Sequence, residues 1–314
     1  MGKDLFFLRF LTLWVDKMFL TEDQKKDFHL IRYLAEQAVS EPVYSIAPLN
    51  GGWISSSYEI NGHIIFKIPG PRTPVDNWKK ASLCAPVMQQ HLSYQIPQPQ
   101  LKTVFLNSTS EEGILSSFYE KIPGHIIDSN EFTKQDPKFK KSFFEQLSVA
   151  TQELQAIPTE RLPCSLIKSE DFFKQFLKMQ ISYAPDNWQK RTQNLFARLL
   201  TKLKAKNHPV ICHSDLRANN ICLDDRDRLV GILDFDSLQQ GIPAIEFHPR
   251  LYWNKKDIRL FYNTFQQQTG QKIPKEDIND IKKIYMGLYA LRFVLKKTLQ
   301  MASKWQQMKQ YVSR

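Results

Sequence analysis

Apolar positions first crowd together from Leu5 to Val15, a run broken by Arg9 and closed by Asp16 and Lys17. A membrane span needs about 20 such residues, and no small-residue cleavage site follows. The run therefore predicts a packed N-terminal helix or extension over residues 1–20, with contact to a membrane surface as the weaker alternative. The chain opens Met-Gly but carries Phe6 where a myristoylation pattern wants Ser or Thr. Thr21 with Gln24 forms a capping-box signature, and Phe28, Ile31, Leu34, Ala35 and Ala38 recur at helical spacing, which predicts a helix ending near Ser40. From Val43 to Pro69 β-favouring residues surround Asn61-Gly62, the strongest short-range hairpin signal, so two strands joined by a tight turn are expected. Strand alternation puts Ile64, Phe66 and Ile68 on one face and Lys67 on the other.

Trp78 to Leu92 reads as a helix that Pro86 interrupts. Val104–Leu106 and Ile114–Glu120 read as strands, the second running into Ile122-Pro123-Gly124, a crossing between two halves. Helices then dominate: Phe143, Leu147, Ala150 and Leu154 make one stripe, and 171–182 and 187–205 carry further helical patterns. Short β-rich runs return from Val210 to Asp234, with a turn at Asp224 to Asp227. A last helix carries Ile281, Ile284, Leu288, Leu291, Leu295, Ala302, Trp305 and Met308 on one stripe, its lysine pairs largely elsewhere.

The 314 residues are 42% apolar and 24% charged, which excludes collagen-like, disordered and disulfide-scaffold chains and allows one bilobal unit or two domains. Lys and Arg outnumber Asp and Glu by 43 to 32, and +7 of the +11 lies between Gln271 and Arg314. Such charge favours anionic partners. With no RNA-binding aromatic signature and no zinc motif beside it, however, the basic stretch reads as the solvated side of a packed helix, against a nucleic-acid partner. Cys84, Cys164, Cys212 and Cys222 show no paired framework and read as reduced thiols of a cytoplasmic protein. Nothing in the sequence addresses oligomeric state.

Chemistry concentrates in His213-Ser214-Asp215-Leu216-Arg217-Ala218-Asn219-Asn220, with Asp234-Phe235-Asp236 beginning fourteen residues beyond Asn220. Phosphoryl transfer from a magnesium nucleotide needs a carboxylate near the acceptor hydroxyl, oxygen ligands for the ion, and positive charge on the phosphates. Asp215 suits the first role, Asn220 and Asp234 the second, and Lys67 the third. Gly51 and Gly52, before Trp53 and Ser55-Ser56-Ser57, could bring backbone and hydroxyl donors to phosphates, or form a plain hairpin turn.

HSDLRANNICL with ILDFDS resembles the catalytic and metal-binding loops of the aminoglycoside phosphotransferase and choline kinase family, whose pattern reads HGDLHPGNIL and VIDFGD. LNGGWISSSYEI with IFKIP resembles its nucleotide loop and lysine strand, FYEKIPG its hinge, and Gly241-Ile242-Pro243-Ala244 its GDPA turn. The resemblance covers roughly residues 22–300. It implies an α+β, bilobal, protein-kinase-like fold: a small strand-rich nucleotide lobe over 21–124 and a larger helical lobe over 125–314. It implies a small-molecule kinase using ATP, with GTP not excluded, and magnesium. Asp215, Arg217 and His213 would be catalytic, Asn220 and Asp234 would hold the metal, and Lys67, Ser55, Ser56, Ser57 and the backbone of Glu120 and Ile122 would bind the nucleotide. Arg217 would steady the transferred phosphoryl group or else form a local ion pair; His213 would orient the loop or else move a proton.

The chain departs from that pattern at Ser214 and Asn219, which replace glycines, at Asp236, where glycine is frequent, and at Glu246, at a common aspartate position. No Asp or Glu lies between Asp76 and Glu111, where the family carries the helix carboxylate that pairs with the lysine. Either a residue from elsewhere, such as Asp76, supplies it, or nucleotide anchoring differs, or catalysis is weak; a catalytically weak nucleotide-binding or regulatory protein on the same scaffold is the alternative function. The acceptor is expected to be a small hydroxylated molecule. His125 to Lys190 carries nine acidic and nine basic residues, no acidic stretch for a polycation, although Glu246, Asp257, Glu276, Asp277 and Asp280 could gather in a pocket and Tyr252 and Trp253 could wall it.

Overall fold

The computed structural model describes residues 27–49, 55–70, 75–106, 113–171, 173–174, 197, 201, 209–247 and 254–282. The expected N-terminal segment, the Gly51-Gly52-Trp53 loop, most of the helices over 171–205, Tyr252, Trp253 and the basic last helix beyond 282 lie outside them. Among the described residues no helix is long and apolar enough to cross a membrane.

Helix α1 spans Phe28–Ala38 and buries Ile31, Leu34, Ala35 and Ala38, as the spacing predicts. Its N-cap is Asp27, whose carboxylate accepts from the His29 and Leu30 amides, so the helix starts well after the Thr21 signature. Phe28 is not on the buried stripe; half of its surface is exposed. The segment expected to hold two strands holds three: β1 (Ile46–Leu49), β2 (Ser55–Ile60) and β3 (Ile64–Pro69). β1 has a proline and no polar alternation, so pairing with β2, rather than its own pattern, makes it a strand. At the β2–β3 turn Asn61 and Gly62 take φ of 53° and 78°, the sign that a tight hairpin of native twist requires. The Asn61 side chain also accepts from the Tyr44 and Ser45 amides, which ties the turn to the approach to β1.

Helix α2 (Val75–Gln89) contains Pro86 without stopping there. A proline so near the C-terminal end removes a single late helical bond. Strands β4 (Gln100–Phe105) and β5 (Gly113–Glu120) complete an antiparallel sheet of order β1-β2-β3-β5-β4. Helix α1 lies against it, and Gln37 exchanges hydrogen bonds with the Phe105 backbone (2.8 and 2.9 Å), satisfying part of the β4 edge. The face toward α1 buries Tyr58, Ile60, Phe66, Ile68, Val104 and Ile114, one apolar cluster of its own.

The second cluster is larger. Strand β6 (His125–Ile126), helix α3 (Ser129–Lys134) and helix α4 (Pro137–Ala156) follow the crossing, and α4 starts on an Asp136 cap with proline at its first position. Phe143, Leu147, Ala150 and Leu154 all point inward. Phe144 stacks on Phe261 of α5 (Lys255–Thr269), ring centroids 5.4 Å apart. Each such fully buried side chain contributes about 1.5–3 kcal/mol. Short strands β7 (Val210–Cys212), β8 (Ile221–Leu223), β9 (Leu229–Ile232) and β10 (Gln239–Gly241) form two small ladders, β10-β7 and β6-β8-β9.

Helix α2 joins the two lobes. Cys84, Ala85, Met88, Leu92, Tyr94 and Ile96 pack with the larger cluster although they precede the crossing in sequence. Gln95 bonds to the Val230 carbonyl and the Ile232 amide, at 2.9 and 3.0 Å, on the edge of β9. At the crossing, Gly124 has φ of 124°, and a Cβ there would lie 2.5 Å from the Leu223 carbonyl oxygen. Gly124→Ala should therefore lower stability by about 1–3 kcal/mol, read as a shifted urea midpoint at unchanged slope.

Candidate functional site

Strand alternation carries Lys67 away from the α1-side cluster, as expected, but not into solvent: the residue is 7% exposed. Its register partners are Ser57 on β2 and Ser117 on β5, so these three stand in one row across the sheet. A buried ammonium needs compensation, and Lys67 Nζ finds it 2.9 Å from Asp236 Oδ2 and 3.1 Å from Asp234 Oδ1. Burial alone would lower the lysine pKa; the two carboxylates override it and hold the group charged, well above its usual range. Asp234 feels burial pushing up, but Lys67, His213 and Arg217 pull its carboxyl down to about 2. For Asp236, burial and the neighbouring Asp234 charge outweigh Lys67, and the direction is upward.

Asp76 is not the missing partner. Its side chain is 91% exposed and its nearest cation is Lys79, at 3.9 Å. Where the family's helix carboxylate was expected, α2 presents Trp78, its ring 5.8 Å from Lys67 Nζ, and Asn77, whose amide donates to the Asp236 carbonyl at 3.3 Å. Lys67, Trp78, Ala81, Tyr119, Asp234 and Asp236 line a cavity of about 20 Å³, room for one water.

The loop from His213 to Asn220 is held by hydrogen bonds that mostly join a side chain to a backbone group. His213 is fully buried. Its Nδ1 accepts the Asp215 amide at 3.1 Å, which places the proton on Nε2, and Nε2 lies 2.7 Å from the Leu233 carbonyl oxygen it donates to. The ring meets Phe235 edge-on at 4.6 Å. With both nitrogens engaged by backbone, His213 braces the loop and has no ring atom left to move a proton. This is the geometry of the loop-orienting alternative. Asn220 donates to the Asp215 carbonyl at 2.9 Å, which turns its amide oxygen the other way, and its own carbonyl accepts the Leu233 amide at 2.7 Å. His213 and Asn220 thus both grip the residue before Asp234. Asp234 itself adopts a left-handed conformation, φ 65° and ψ 56°, that turns its carboxylate toward Lys67. Arg217 Nε lies 3.7 Å from Asp215 Oδ1, so the arginine pairs with the very carboxylate expected to meet the acceptor.

Glu246 underlies this loop. Its carboxylate accepts the His213 amide at 2.5 Å and the Ser214 amide at 3.1 Å, and Ser214, at φ 67°, also takes a hydrogen bond from Gln239. Glu246 is therefore not available to an acceptor. Neither is Asp257, buried against Lys140 at 3.4 Å and capped by Asn254. Asp277 and Asp280 each have a partner within the fold.

The remaining predicted residues divide. Ser55 and Ser57 share the Lys67 face, whereas Ser56 alternates to the other face, opposite Ile68. The Lys121 amide turns to the His63 carbonyl at 2.7 Å, so the backbone groups of Glu120 and Ile122, one residue to either side, turn away from β3. The Ile122 side chain is buried beside Gly231.

A family model described as phosphotransferase enzyme family matches residues 45–277. The GDP complex of wild-type aminoglycoside 2'-phosphotransferase-IIIa superposes with a TM-score of 0.67 at 17% identity, covering 88% of this chain and 94% of that one. The gentamicin complex of APH(2")-IIa gives 0.61 at 20% identity, over 88% and 92%. Macrolide 2'-phosphotransferase MphH from Brachybacterium faecium gives 0.53 at 14% identity, over 86% and 93%. All three share the two-lobed fold.

Burial raises the Glu246 carboxyl to about 8 against the two amide donors that oppose it. A carboxyl raised in the folded state binds its proton more tightly there than unfolded, so its contribution is full below about pH 4.5 and is lost as pH climbs through about 8. Relative to Glu246→Gln, the wild type should lose stability across that window with a slope approaching about 1.4 kcal/mol per pH unit. Chemical denaturation of both proteins from pH 5 to 9 measures the difference.

Proposed function

Because the chain belongs to the phosphotransferase enzyme family, we propose that it transfers the γ-phosphoryl group of a magnesium nucleotide, ATP foremost, to a hydroxyl of a small molecule. One observation carries the reading: Lys67 and Asp234, 167 residues apart, meet at 3.1 Å beside a loop that also presents Asp215 and Asn220. That is the set of charges phosphoryl transfer needs: a cation for phosphate oxygens, oxygen ligands for a hard divalent ion and a carboxylate for the acceptor.

Asn220 and Asp234 would hold the ion. The donor set fits: an amide oxygen fixed in orientation by the Asp215 carbonyl, and a carboxylate kept ionised by Lys67. When bound, magnesium supplies charge neutralisation on the phosphates. Lys67 would bind the phosphates remote from the acceptor. Ser57, in register beside it, and Ser55 would donate hydroxyl hydrogen bonds, and the backbone of Glu120 and Ile122 would receive the base. Asp215 would accept the hydrogen bond of the acceptor hydroxyl and take its proton as the oxygen attacks. Arg217, 3.7 Å from that carboxylate, would add positive charge where the transferred group passes. His213 and Glu246 are positioning residues for the same loop.

Two of the three structures named above carry GDP or gentamicin in their complexes. For this chain we propose a small hydroxylated acceptor of low positive charge. Glu246 and Asp257, two carboxylates that could have faced a polycation, are spent inside the fold.

Asp215→Asn should lower transfer by about 10²–10⁴-fold, the range of a general base, with nucleotide affinity within about twofold of wild type. Asp234→Asn should instead weaken the magnesium nucleotide and leave metal-free binding nearly unchanged. Calorimetric titration of ATP and GTP with and without magnesium, beside turnover, separates the two; equal loss of nucleotide binding in both variants contradicts the division of roles. An acceptor panel of aminoglycosides, a macrolide, choline, sugars and amino-alcohols should show turnover with a weakly charged hydroxyl compound. Rapid phosphorylation of several aminoglycosides at micromolar concentration overturns the charge argument.

A further inference from the structure

We propose that Asp236 positions Lys67 for the nucleotide phosphates, in place of the helix carboxylate that this chain lacks; the inference rests on the nucleotide-transfer reading above. The contact is direct, 2.9 Å from Lys67 Nζ to Asp236 Oδ2, and both side chains are largely buried. Helix α2 supplies no carboxylate to compete. Its one acidic residue, Asp76, points to solvent, and no Asp or Glu follows until Glu111.

The same helix instead reinforces Asp236. Asn77 donates to its backbone carbonyl at 3.3 Å, and the Trp78 ring lies 5.8 Å from the Lys67 ammonium. Helix α2 therefore reaches the lysine through an aromatic face and through the Asp236 loop, not through a charge of its own.

Two carboxylates on one ammonium have distinct uses. A magnesium ion would draw on Asp234, and a buried lysine left with no other anion would be poorly compensated until phosphate arrived. Asp236 keeps a negative charge on Lys67 throughout. It lies two residues beyond Asp234, so the anchor of the lysine and the ligand of the metal sit on one short loop. That loop is tied to the Asp215 segment through Leu233, whose backbone His213 and Asn220 both hold.

The test is nucleotide affinity, measured by calorimetry with ATP, with and without magnesium, on wild type, Asp236→Asn, Asp236→Gly and the double variant Asp236→Gly/Trp78→Glu. The isosteric Asp236→Asn disturbs the loop least and should weaken ATP binding by about tenfold, the scale of one charge-assisted hydrogen bond, in both metal conditions. Asp236→Gly should do the same. The double variant returns a carboxylate from the helix side and should recover most of the loss, an outcome that a purely structural role of Asp236 in its loop would not produce. Wild-type affinity in Asp236→Asn overturns the proposal, and so does loss in Asp236→Gly without recovery in the double variant. Absence of ATP and GTP binding by the wild type sinks the functional reading itself, and is distinguished by requiring no variant.

Discussion

The buried ammonium of Lys67 is the constraint from which the site follows. Removing a charge from water costs several kcal/mol, and only close, well-directed anions offset it. β3 delivers the charge at the sheet face turned away from α1, and the 234–236 loop delivers the anions. Each lobe therefore carries half of an ion cluster that neither could keep alone. The left-handed Asp234 backbone is part of the same solution, since it turns the carboxylate toward the lysine while the chain continues into the turn that brings Asp236 to the other side.

A second layer of polar contacts makes the first one rigid. Glu246 gathers the His213 and Ser214 amides, His213 and Asn220 gather Leu233, and Asn220 gathers the Asp215 carbonyl. Almost every bond runs from a side chain to a backbone group. Backbone groups cannot rotate away, so the orientation of Asp215 and Asp234 depends on few free torsions. This is the preorganisation that an electrostatic mechanism requires, because donors and charges aimed in advance need no rearrangement during reaction.

Much of this was legible in the sequence where the determinant is local. The Asn61-Gly62 hairpin, the α4 stripe and the lysine facing away from Phe66 each follow from a period of two or 3.6 residues or from a turn's demand for positive φ. Joint spacing and resemblance single out Asp215, Asn220 and Asp234, and the structure brings them together, Asn220 bonding to the Asp215 carbonyl and to the Leu233 amide beside Asp234. What escaped depends on distant register. β1 is a strand through its partner, and Pro86 is tolerated because of where the helix happens to end. The Lys67–Asp236 pair spans 169 residues. Two separate irregularities bear on it, a helix without a carboxylate and a carboxylate where glycine is frequent, but the sequence does not connect them, and only the structure shows Asp236 against Lys67. Glu246 was visible as a polar residue of fitting type, while its job under the loop required knowing which amides face it.

The packing of α2 against the far lobe has a consequence for how the chain comes into being. Residues 84–96 leave the ribosome more than a hundred positions ahead of Val230 and Ile232, the backbone groups that Gln95 joins. At a synthesis rate of about 5–20 residues per second, the greasy side of that helix waits for its partner for several seconds or more. The five-stranded sheet, whose strand pairings all fall between Ile46 and Glu120, can pair early; its neighbouring helix cannot be seated until the later strands exist. Nascent chains of intermediate length therefore carry a sheet with its pairings made beside a helix whose apolar side has not yet met its partner, and that is the species most exposed to misassembly.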